Sequence, residues 1–166
     1  MPRLLKLNAS EMFIDSNIWL YAFTAHPQWG GACHDLLKKI ETEQVEGFTS
    51  PLVIAETIHK LMLFEVRDRF KILLPSAVSY LKKNYAVIPT LGQFQKALER
   101  IYVRSNVTIL EISNTVFALS YSLINKYQLL SFDALHAATC LAYNIRHFAT
   151  NDKDFKRVKE LTIWSP

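Results

Sequence analysis

The chain has 166 residues; 50% of them are hydrophobic, 20% are charged, and the formal net charge is +4. This length fits one domain with a substantial core, the composition excludes an intrinsically disordered chain, and the mild basic excess is compatible with a polyanionic partner. The apolar runs are shorter than the roughly 20 residues that cross a bilayer, and residues 1–10 lack a signal-peptide pattern, so we expect no membrane insertion and no secretion.

In the first half of the chain, short apolar runs alternate with helical patterns. Ser50 followed by Pro51 is a strong helix start, because serine caps free backbone N–H groups and proline is tolerated in the first helical turn. Pro27 ends the helix that precedes it. We predict strands at 11–14 and 47–50, and helices at about 16–25, 30–46 and 51–65.

The second half of the chain continues the alternation, after a helical segment broken at Pro75 and Pro89. We expect residues 1–166 to form a single domain in which the segment at about 67–104 is an enlarged helical insertion of two or three helices. Strands that alternate with helices predict an α/β fold, a mostly parallel sheet of four to five short strands with helices on both faces. The predicted strands are 107–112, 146–150 and 161–164, and the predicted helices are about 113–126, 131–143 and 153–159.

Four acidic residues lie far apart in the chain but at related positions of this predicted fold. In an open α/β sheet, the carboxyl ends of the strands and the helix starts gather along one edge. Four carboxylates at that edge would repel one another unless a hard, oxygen-preferring cation held them, so the sequence predicts a Mg²⁺ or Mn²⁺ site. The four acids are Asp15, Glu56, Asp133 and Asp152.

Each acid also has a simpler explanation. An aspartate at a helix start often caps backbone N–H groups and complements the helix dipole, which contributes about 1 kcal/mol. This interpretation stays open for Asp15, Asp133 and Asp152 taken singly. Glu56 is different, because it lies in the mostly apolar run at 52–58, where an unpaired carboxylate is costly. A buried glutamate there needs an arginine, a lysine or a metal ion.

Four short strings, spread from Phe13 to Trp164, resemble the motifs of one family. Each string alone is weakly specific, but all four in one order are a strong signal. The chain resembles the PIN-domain ribonucleases, and most of all the VapC-type toxins of prokaryotic toxin–antitoxin systems. The strings are Phe13-Ile14-Asp15-Ser16-Asn17, Ser50-Pro51-Leu52-Val53-Ile54-Ala55-Glu56, Ser131-Phe132-Asp133-Ala134-Leu135-His136-Ala137-Ala138 and Ala149-Thr150-Asn151-Asp152-Lys153-Asp154-Phe155.

The resemblance implies a three-layer α/β/α PIN-like fold and metal-dependent hydrolysis of RNA phosphodiester bonds. Asp15, Glu56, Asp133 and Asp152 fall on the family's catalytic and metal-binding acids. We expect them to hold one or two Mg²⁺ or Mn²⁺ ions, partly through water. Asp15 and Asp133 are the expected direct ligands, followed by Asp152. Glu56 would bind a second ion or orient the attacking water.

The resemblance also implies residues that support the metal ligands. Ser16 and Asn17 fall on the family's polar pair after the first aspartate, and Thr150 falls on its hydroxyl position, so all three would hydrogen-bond ligands or a phosphate. Asp154 is open between a second supporting acid that binds metal and a cap on a short helix at 155–159, which we favour. His136 is expected to be a packed histidine and not a catalytic base.

A ribonuclease of this kind needs an RNA substrate and basic residues near its acids. Lys153, Lys156 and Arg157 follow Asp152 and are candidates to contact the RNA backbone, although a solvated helix face is the favoured explanation for each of them taken singly. The resemblance further implies a small antitoxin that occupies the acidic groove, and a homodimer. Two cysteines without metal-binding spacing favour a reducing, cytoplasmic location.

Several alternatives remain at the level of sequence. The chain could be a catalytically inactive PIN-like module that binds RNA or protein, or a PIN nuclease of RNA processing that has no antitoxin. The segment at 67–104 is longer than a minimal VapC-like toxin needs, which leaves these alternatives open. A phosphatase with an aspartyl nucleophile is disfavoured, because that class usually has a second acid where this chain has Asn17.

Overall fold

Five short parallel strands form the centre of the structure, a computed structural model that describes residues 3–166. The strands are β1 at Glu11–Ile14, β2 at Glu46–Thr49, β3 at Val107–Ile109, β4 at His147–Ala149 and β5 at Thr162–Trp164. Their order in the sheet is β3-β2-β1-β4-β5, so the direction of strand addition reverses between β1 and β4. Helices flank the sheet, which confirms the predicted α/β fold with a parallel sheet.

Within residues 3–166, seven α-helices accompany the sheet, and none of them is long and apolar enough to cross a membrane. They are α1 at Ser16–Phe23, α2 at Gly30–Glu41, α3 at Pro51–Phe70, α4 at Leu74–Lys83, α5 at Gln93–Glu99, α6 at Asn114–Tyr127 and α7 at Ser131–Ala142.

The predicted helix starts are confirmed by hydrogen bonds at their caps. Ser50 Oγ accepts a hydrogen bond from the backbone N–H of Val53 at 3.4 Å, and Pro51 opens α3. Ser113 Oγ accepts one from Val116 at 3.3 Å, at the start of α6. These helix starts could be predicted from the sequence because a capping side chain bonds a backbone N–H only three residues away.

Several predicted element ends are wrong. Helix α2 stops at Glu41 instead of about residue 46, because Glu43 takes a left-handed conformation with φ 58°. Helix α3 passes the expected end at residue 65 and continues to Phe70, where Lys71, also at φ 58°, ends it. Strand β3 stops at Ile109, and the helix expected at 153–159 is a short 3₁₀ turn.

Strand β1 is the most deeply buried part of the sheet. Met12, Phe13 and Ile14 have no exposed surface, since β2 and β4 pair with β1 on its two sides and helices cover both faces. Phe13 packs edge-to-face against Phe148 of β4, with ring centroids 5.3 Å apart. The residue after β1, Asp15, is therefore held at the middle of the sheet's carboxyl edge.

After the end of α3, the segment at 67–104 contains the two helices α4 and α5 and two short helical turns. Together with Val66 of α3, its residues Leu81 and Leu91 form a separate apolar cluster. A buried carboxylate joins this segment to α3. Glu65 accepts hydrogen bonds from the backbone N–H groups of Gly92 at 3.0 Å and Gln93 at 2.8 Å. That the whole chain behaves as one domain stays a prediction.

We predict that Glu65→Ala lowers the free energy of unfolding by about 2–4 kcal/mol, because two backbone N–H groups and Arg69 lose the buried, charged acceptor that they share. Burial opposes ionisation of Glu65, but the hydrogen bonds from Gln93 and Gly92 outweigh it and lower its pKa below the ordinary 4.5. The stabilisation is therefore present above pH 4.5 and lost as the pH falls through the folded-state pKa.

Urea unfolding at neutral and acidic pH measures the effect of Glu65→Ala. The matched control is Glu99→Ala, which removes an exposed ion pair with Arg104 and changes stability by less than about 0.5 kcal/mol. Equal losses in the two variants would contradict the anchoring role of Glu65.

Candidate functional site

Asp15 occupies the point where the sheet order reverses, between β1 and β4. Its backbone N–H donates to the carbonyl of Ala149 at the end of β4, at 3.1 Å. Its side chain is 4% exposed and caps α1, where Oδ1 accepts a hydrogen bond from the Ser16 N–H at 2.6 Å. Ligand sites of open α/β sheets lie at this kind of position. The capping interpretation of Asp15 is thus correct, and the chemistry described next adds to it.

Thr150 fixes the orientation of the Asp15 carboxylate. Its hydroxyl donates to Asp15 Oδ2 at 2.6 Å and accepts hydrogen bonds from Asn17 Nδ2 at 2.9 Å and from the Asp152 N–H at 3.0 Å. Asn17 Nδ2 also donates to Asp15 Oδ2, and Asn17 Oδ1 accepts from the Asn151 N–H. A carboxylate oxygen has two lone pairs, so Oδ2 is fully used and Oδ1 keeps one lone pair free.

Negative charge is concentrated around Asp15 and Asp133. Burial raises the pKa of Asp15, and the positive charge of His136 and the hydrogen bonds from Thr150 and Ser16 oppose that rise. Asp133, in the first turn of α7, has its pKa raised by burial, by the carboxylate of Asp152 and, to a smaller extent, by that of Asp15. The structure therefore brings these three predicted site residues together, although they are distant in sequence.

Glu56 reaches the same region from the second turn of α3. Its Oε1 lies 3.3 Å from Nε2 of His136, which is on α7 and 2% exposed. Lys60, one turn further along α3, donates to the hydroxyl of Ser16 at 3.3 Å. Three possible ligand atoms, one from each of Asp15, Glu56 and His136, lie within 4.8 Å of one another. Glu56 thus meets a histidine, a partner that the sequence did not predict.

The charges of Glu56 and His136 support each other. Burial opposes ionisation of Glu56, but the hydrogen bond and positive charge of His136 outweigh it and lower the Glu56 pKa. Burial likewise opposes protonation of His136, yet Glu56, Asp15 and Asp133 raise its pKa. His136 is packed, as expected, but it also holds Glu56. The sequence signal that could have placed His136 at the site is its spacing: it follows Asp133 by three residues and so lies on the same face of the helix.

The favoured expectation for Asp154, a helix cap, is wrong. The cap is Asp152, whose Oδ1 accepts a hydrogen bond from the Asp154 N–H at 2.8 Å, while Asp154 pairs with Arg157 at 3.0 Å. An aspartate caps best two or three residues before the bonded N–H, and Asp152 has that spacing. Lys153 and Lys156 are exposed on this turn, so their contact with RNA stays a prediction, as does metal binding by Asp154.

Comparison with known proteins identifies the family of the chain. Residues 12–161, nearly the whole sequence, match the family model of the PIN domain. The chain is a PIN domain protein. Two curated relatives from Methanocaldococcus jannaschii, Ribonuclease VapC2 and Ribonuclease VapC6, are each 28% identical to this PIN domain protein. The alignments cover 97% of this chain and 97% of VapC2, and 95% of this chain and 98% of VapC6.

Solved structures share the fold of this PIN domain protein. VapBC2 from Rickettsia felis, solved bound to a DNA fragment of its promoter, superposes with a TM-score of 0.61 at 19% identity, over 93% of this chain and 98% of the other. VapC20 of Mycobacterium tuberculosis, a toxin that cleaves the sarcin–ricin loop, superposes with a TM-score of 0.60 at 15% identity, over 89% and 94% of the two chains. At these identities the likeness establishes the fold.

We predict that Asp133→Asn raises the free energy of unfolding by roughly 1 kcal/mol in EDTA at neutral pH, because it removes a carboxylate whose ionised form is disfavoured by burial and by repulsion from Asp152. The folded-state pKa of Asp133 lies above its ordinary value of 3.8, so the ionised group disfavours the folded state at higher pH. The gain should disappear below pH 3.8, where the aspartate is protonated in both states.

Thermal and urea unfolding in EDTA across this pH range measure the gain. Asp35→Asn, at an exposed position of α2, is the matched control and should leave stability within about 0.5 kcal/mol. A destabilised Asp133→Asn variant would contradict the repulsion described here.

Proposed function

We propose that this PIN domain protein is a metal-dependent endoribonuclease that hydrolyses RNA phosphodiester bonds and is the toxin of a toxin–antitoxin pair. The observation that carries the proposal is the cluster of Asp15, Glu56 and His136 at the point where the sheet order reverses, where one ligand atom of each lies within 4.8 Å of the others. Asp133 and Asp152 add negative charge beside this cluster, because burial first, and then the carboxylates of Asp152 and Asp15, raise the pKa of Asp133. Two relatives that match nearly the whole chain are named as ribonucleases of the VapC group, which supports the same activity.

The residues present fit a divalent cation with a preference for oxygen ligands. Asp15 Oδ1 keeps a free lone pair at the middle of the site. Burial, and after it the carboxylate of Asp152, raise the pKa of Asp133, and a bound cation would favour its ionised form. Carboxylate oxygens suit Mg²⁺ and Mn²⁺, and a bound ion would supply Lewis-acid activation of water and stabilise charge on the phosphate.

In the proposed mechanism, the residues of the chain position the reacting groups. Asp15, Asp133 and Asp152 would hold the ion. Thr150 donates a hydrogen bond to the Asp15 carboxylate and accepts one from the Asp152 N–H, which fixes the spacing of these two acids. Glu56, kept ionised by His136, accepts a hydrogen bond from the attacking water and orients it toward phosphorus. In this assignment Glu56 orients the water and does not act as a general base, since its lowered pKa makes its carboxylate a weak proton acceptor.

We predict that Asp15→Asn and Asp133→Asn each reduce RNA cleavage at least about 100-fold, because each removes a charged ligand of the ion. Cleavage of structured and single-stranded RNA is measured with Mg²⁺, with Mn²⁺ and with EDTA. Asp35→Asn, which makes the same change on an exposed face, should cleave as the wild type does.

Cleavage that survives both substitutions, or that proceeds unchanged in EDTA, would reject the mechanism. RNA that stays intact with every metal but binds in a salt-sensitive way would favour the inactive binding module instead.

We predict that Thr150→Val weakens Mn²⁺ binding roughly 10- to 100-fold, because the Asp15 carboxylate loses the donor that orients it. Titration calorimetry with Mn²⁺ measures the affinity without reference to activity. Thr139→Val is the matched control, since Thr139 is equally buried on α7 and donates only to the Leu135 carbonyl. Equal Mn²⁺ affinity in both variants would show that Thr150 does not position a metal ligand.

The proposed partners are RNA, a small antitoxin protein and a second copy of the chain. Several solved structures of the same fold are toxin–antitoxin complexes, among them one from Klebsiella pneumoniae, which supports an antitoxin. The antitoxin would place a basic side chain among the carboxylates, in place of the cation. We assign the protein to the cytoplasm, where Cys33 and Cys140, both buried and free, stay reduced. Co-expression with the product of a neighbouring reading frame, followed by an RNA cleavage assay, tests the antitoxin.

A further inference from the structure

A surface cavity with an excess of positive charge lies at the C-terminal end of α6, next to the turn that follows Asp152. It has a volume of about 550 Å³ and opens between α6 and the turn that follows Asp152. We call it the basic cavity. Four basic side chains and one acid line it, with one aromatic ring: Lys126, Lys156, Arg157, Lys159, Glu160 and Tyr127.

Two of the four cations of the basic cavity are already engaged by neighbouring groups. Lys126 Nζ lies 2.8 Å from Oε1 of Glu160, and the hydroxyl of Tyr127 donates to the other oxygen of that carboxylate. These contacts lower the pKa of Glu160 to about 2, so it stays ionised as a fixed counter-charge. Arg157 pairs with Asp154 and donates to the Gln128 carbonyl at 2.9 Å.

The other two cations are available for a ligand. Lys156 and Lys159 are exposed, and within residues 3–166 neither side chain makes an ion pair or a hydrogen bond. A lysine is a compact charge on a flexible stem, well suited to following phosphate groups that are not held in one geometry. The cavity thus combines two engaged cations with two exposed, unengaged lysines, and its one carboxylate is already paired with Lys126.

The position of the basic cavity relates it to the four acids. Arg157 pairs with Asp154, whose N–H is bonded to Asp152, so the cavity wall and the site share one turn. Lys156 follows Asp152 by only a few residues, which places their Cα atoms within about 14 Å of each other. An RNA strand that spans this distance does so within a few nucleotides of the cleaved bond.

We propose that the basic cavity binds backbone phosphates of the RNA strand on one side of the cleaved bond, through Lys156 and Lys159. The inference rests on the proposed function and extends it from the reacting phosphate to the neighbouring ones. Arg157 then serves as a wall and not as a phosphate ligand, because its guanidinium is already engaged by Asp154 and Gln128. Contacts of this kind position an RNA without reading its sequence.

An acidic protein segment is the less suitable occupant. Cores of protein interfaces are apolar and rich in accessible aromatic side chains. The aromatic ring of the basic cavity, Tyr127, is 7% exposed and has the Lys126 ammonium 4.8 Å from its centroid. The lining therefore offers several charges and no exposed aromatic ring, which suits a phosphate backbone better than a protein segment.

The test compares two double variants of the full-length chain, both in an Asp133→Asn background that should not cleave. One is K156A/K159A; the matched control is K82A/K83A, which removes two exposed lysines at the end of α4. The probe is a short fluorescein-labelled single-stranded RNA of mixed sequence, and fluorescence anisotropy in Mg²⁺ gives Kd across a salt series.

Two lost phosphate contacts should raise Kd roughly 10- to 30-fold at about 0.1 M salt and flatten the slope of log Kd against log salt by about 1.4. The control should bind as the parent does. A change in Kd below about threefold, or equal changes in the two double variants, would overturn the proposal. So would loss of binding to a co-expressed antitoxin while RNA binding is kept, since the cavity would then serve a protein.

Cleavage assays separate this proposal from the proposed function. If wild-type protein cuts RNA with metal while K156A/K159A binds RNA normally, the ribonuclease stands and the basic cavity proposal fails. If wild-type protein cuts no RNA with any metal, the proposed function fails, and the anisotropy comparison still decides whether the cavity binds RNA. In the active background, K156A/K159A should raise KM by a larger factor than it lowers kcat.

Discussion

The hydrogen bond from Thr150 to Asp15 joins the two strands between which the sheet order reverses, and the geometry of the site depends on it. Thr150 follows β4 and Asp15 follows β1, and parallel pairing of these strands brings their ends to the same level. The same hydroxyl accepts a hydrogen bond from the Asp152 N–H, so one side chain sets the spacing of two acids. A hydrophobic core of fully buried residues, among them Phe13 and Phe148, keeps the two strand ends in register.

The electrostatics of the site follow from that placement. Asp15 is buried beside other carboxylates, and burial raises its pKa, because water no longer solvates the charge. The positive charge of His136 offsets part of this negative charge, and its hydrogen bond and charge lower the pKa of Glu56. What remains is an excess of negative charge toward Asp133 and Asp152, which suits a divalent cation. The cations of the basic cavity lie on the neighbouring turn, where they can compensate a polyanionic substrate without neutralising the acids themselves.

Much of the fold and the position of each acid could be predicted, since these features depend on short-range patterns. The starts of α3 and α6 follow from Ser50 and Ser113, each of which bonds a backbone N–H three residues later. The parallel sheet followed from strands that alternate with helices. Element ends were less predictable: α3 runs on to Phe70 because packing against α5 continues past its first turns. In the turn after β4, Asp152 and not Asp154 accepts the backbone hydrogen bond, because both spacings suit a cap and only the folded turn selects one.

The sequence by itself determined which residue types stand at the strand ends and helix starts, and so it determined the α/β class, the family resemblance and the four candidate acids. The tertiary structure alone decided which groups touch. His136 meets Glu56 because α3 and α7 bring two residues 80 positions apart together at the carboxyl edge of the sheet. Arg157 is occupied by Asp154 and Gln128, whereas Lys156 stays free, although the sequence gives all three basic residues after Asp152 the same character. Local patterns report the backbone within a few residues, while electrostatic partners are set by packing between distant segments.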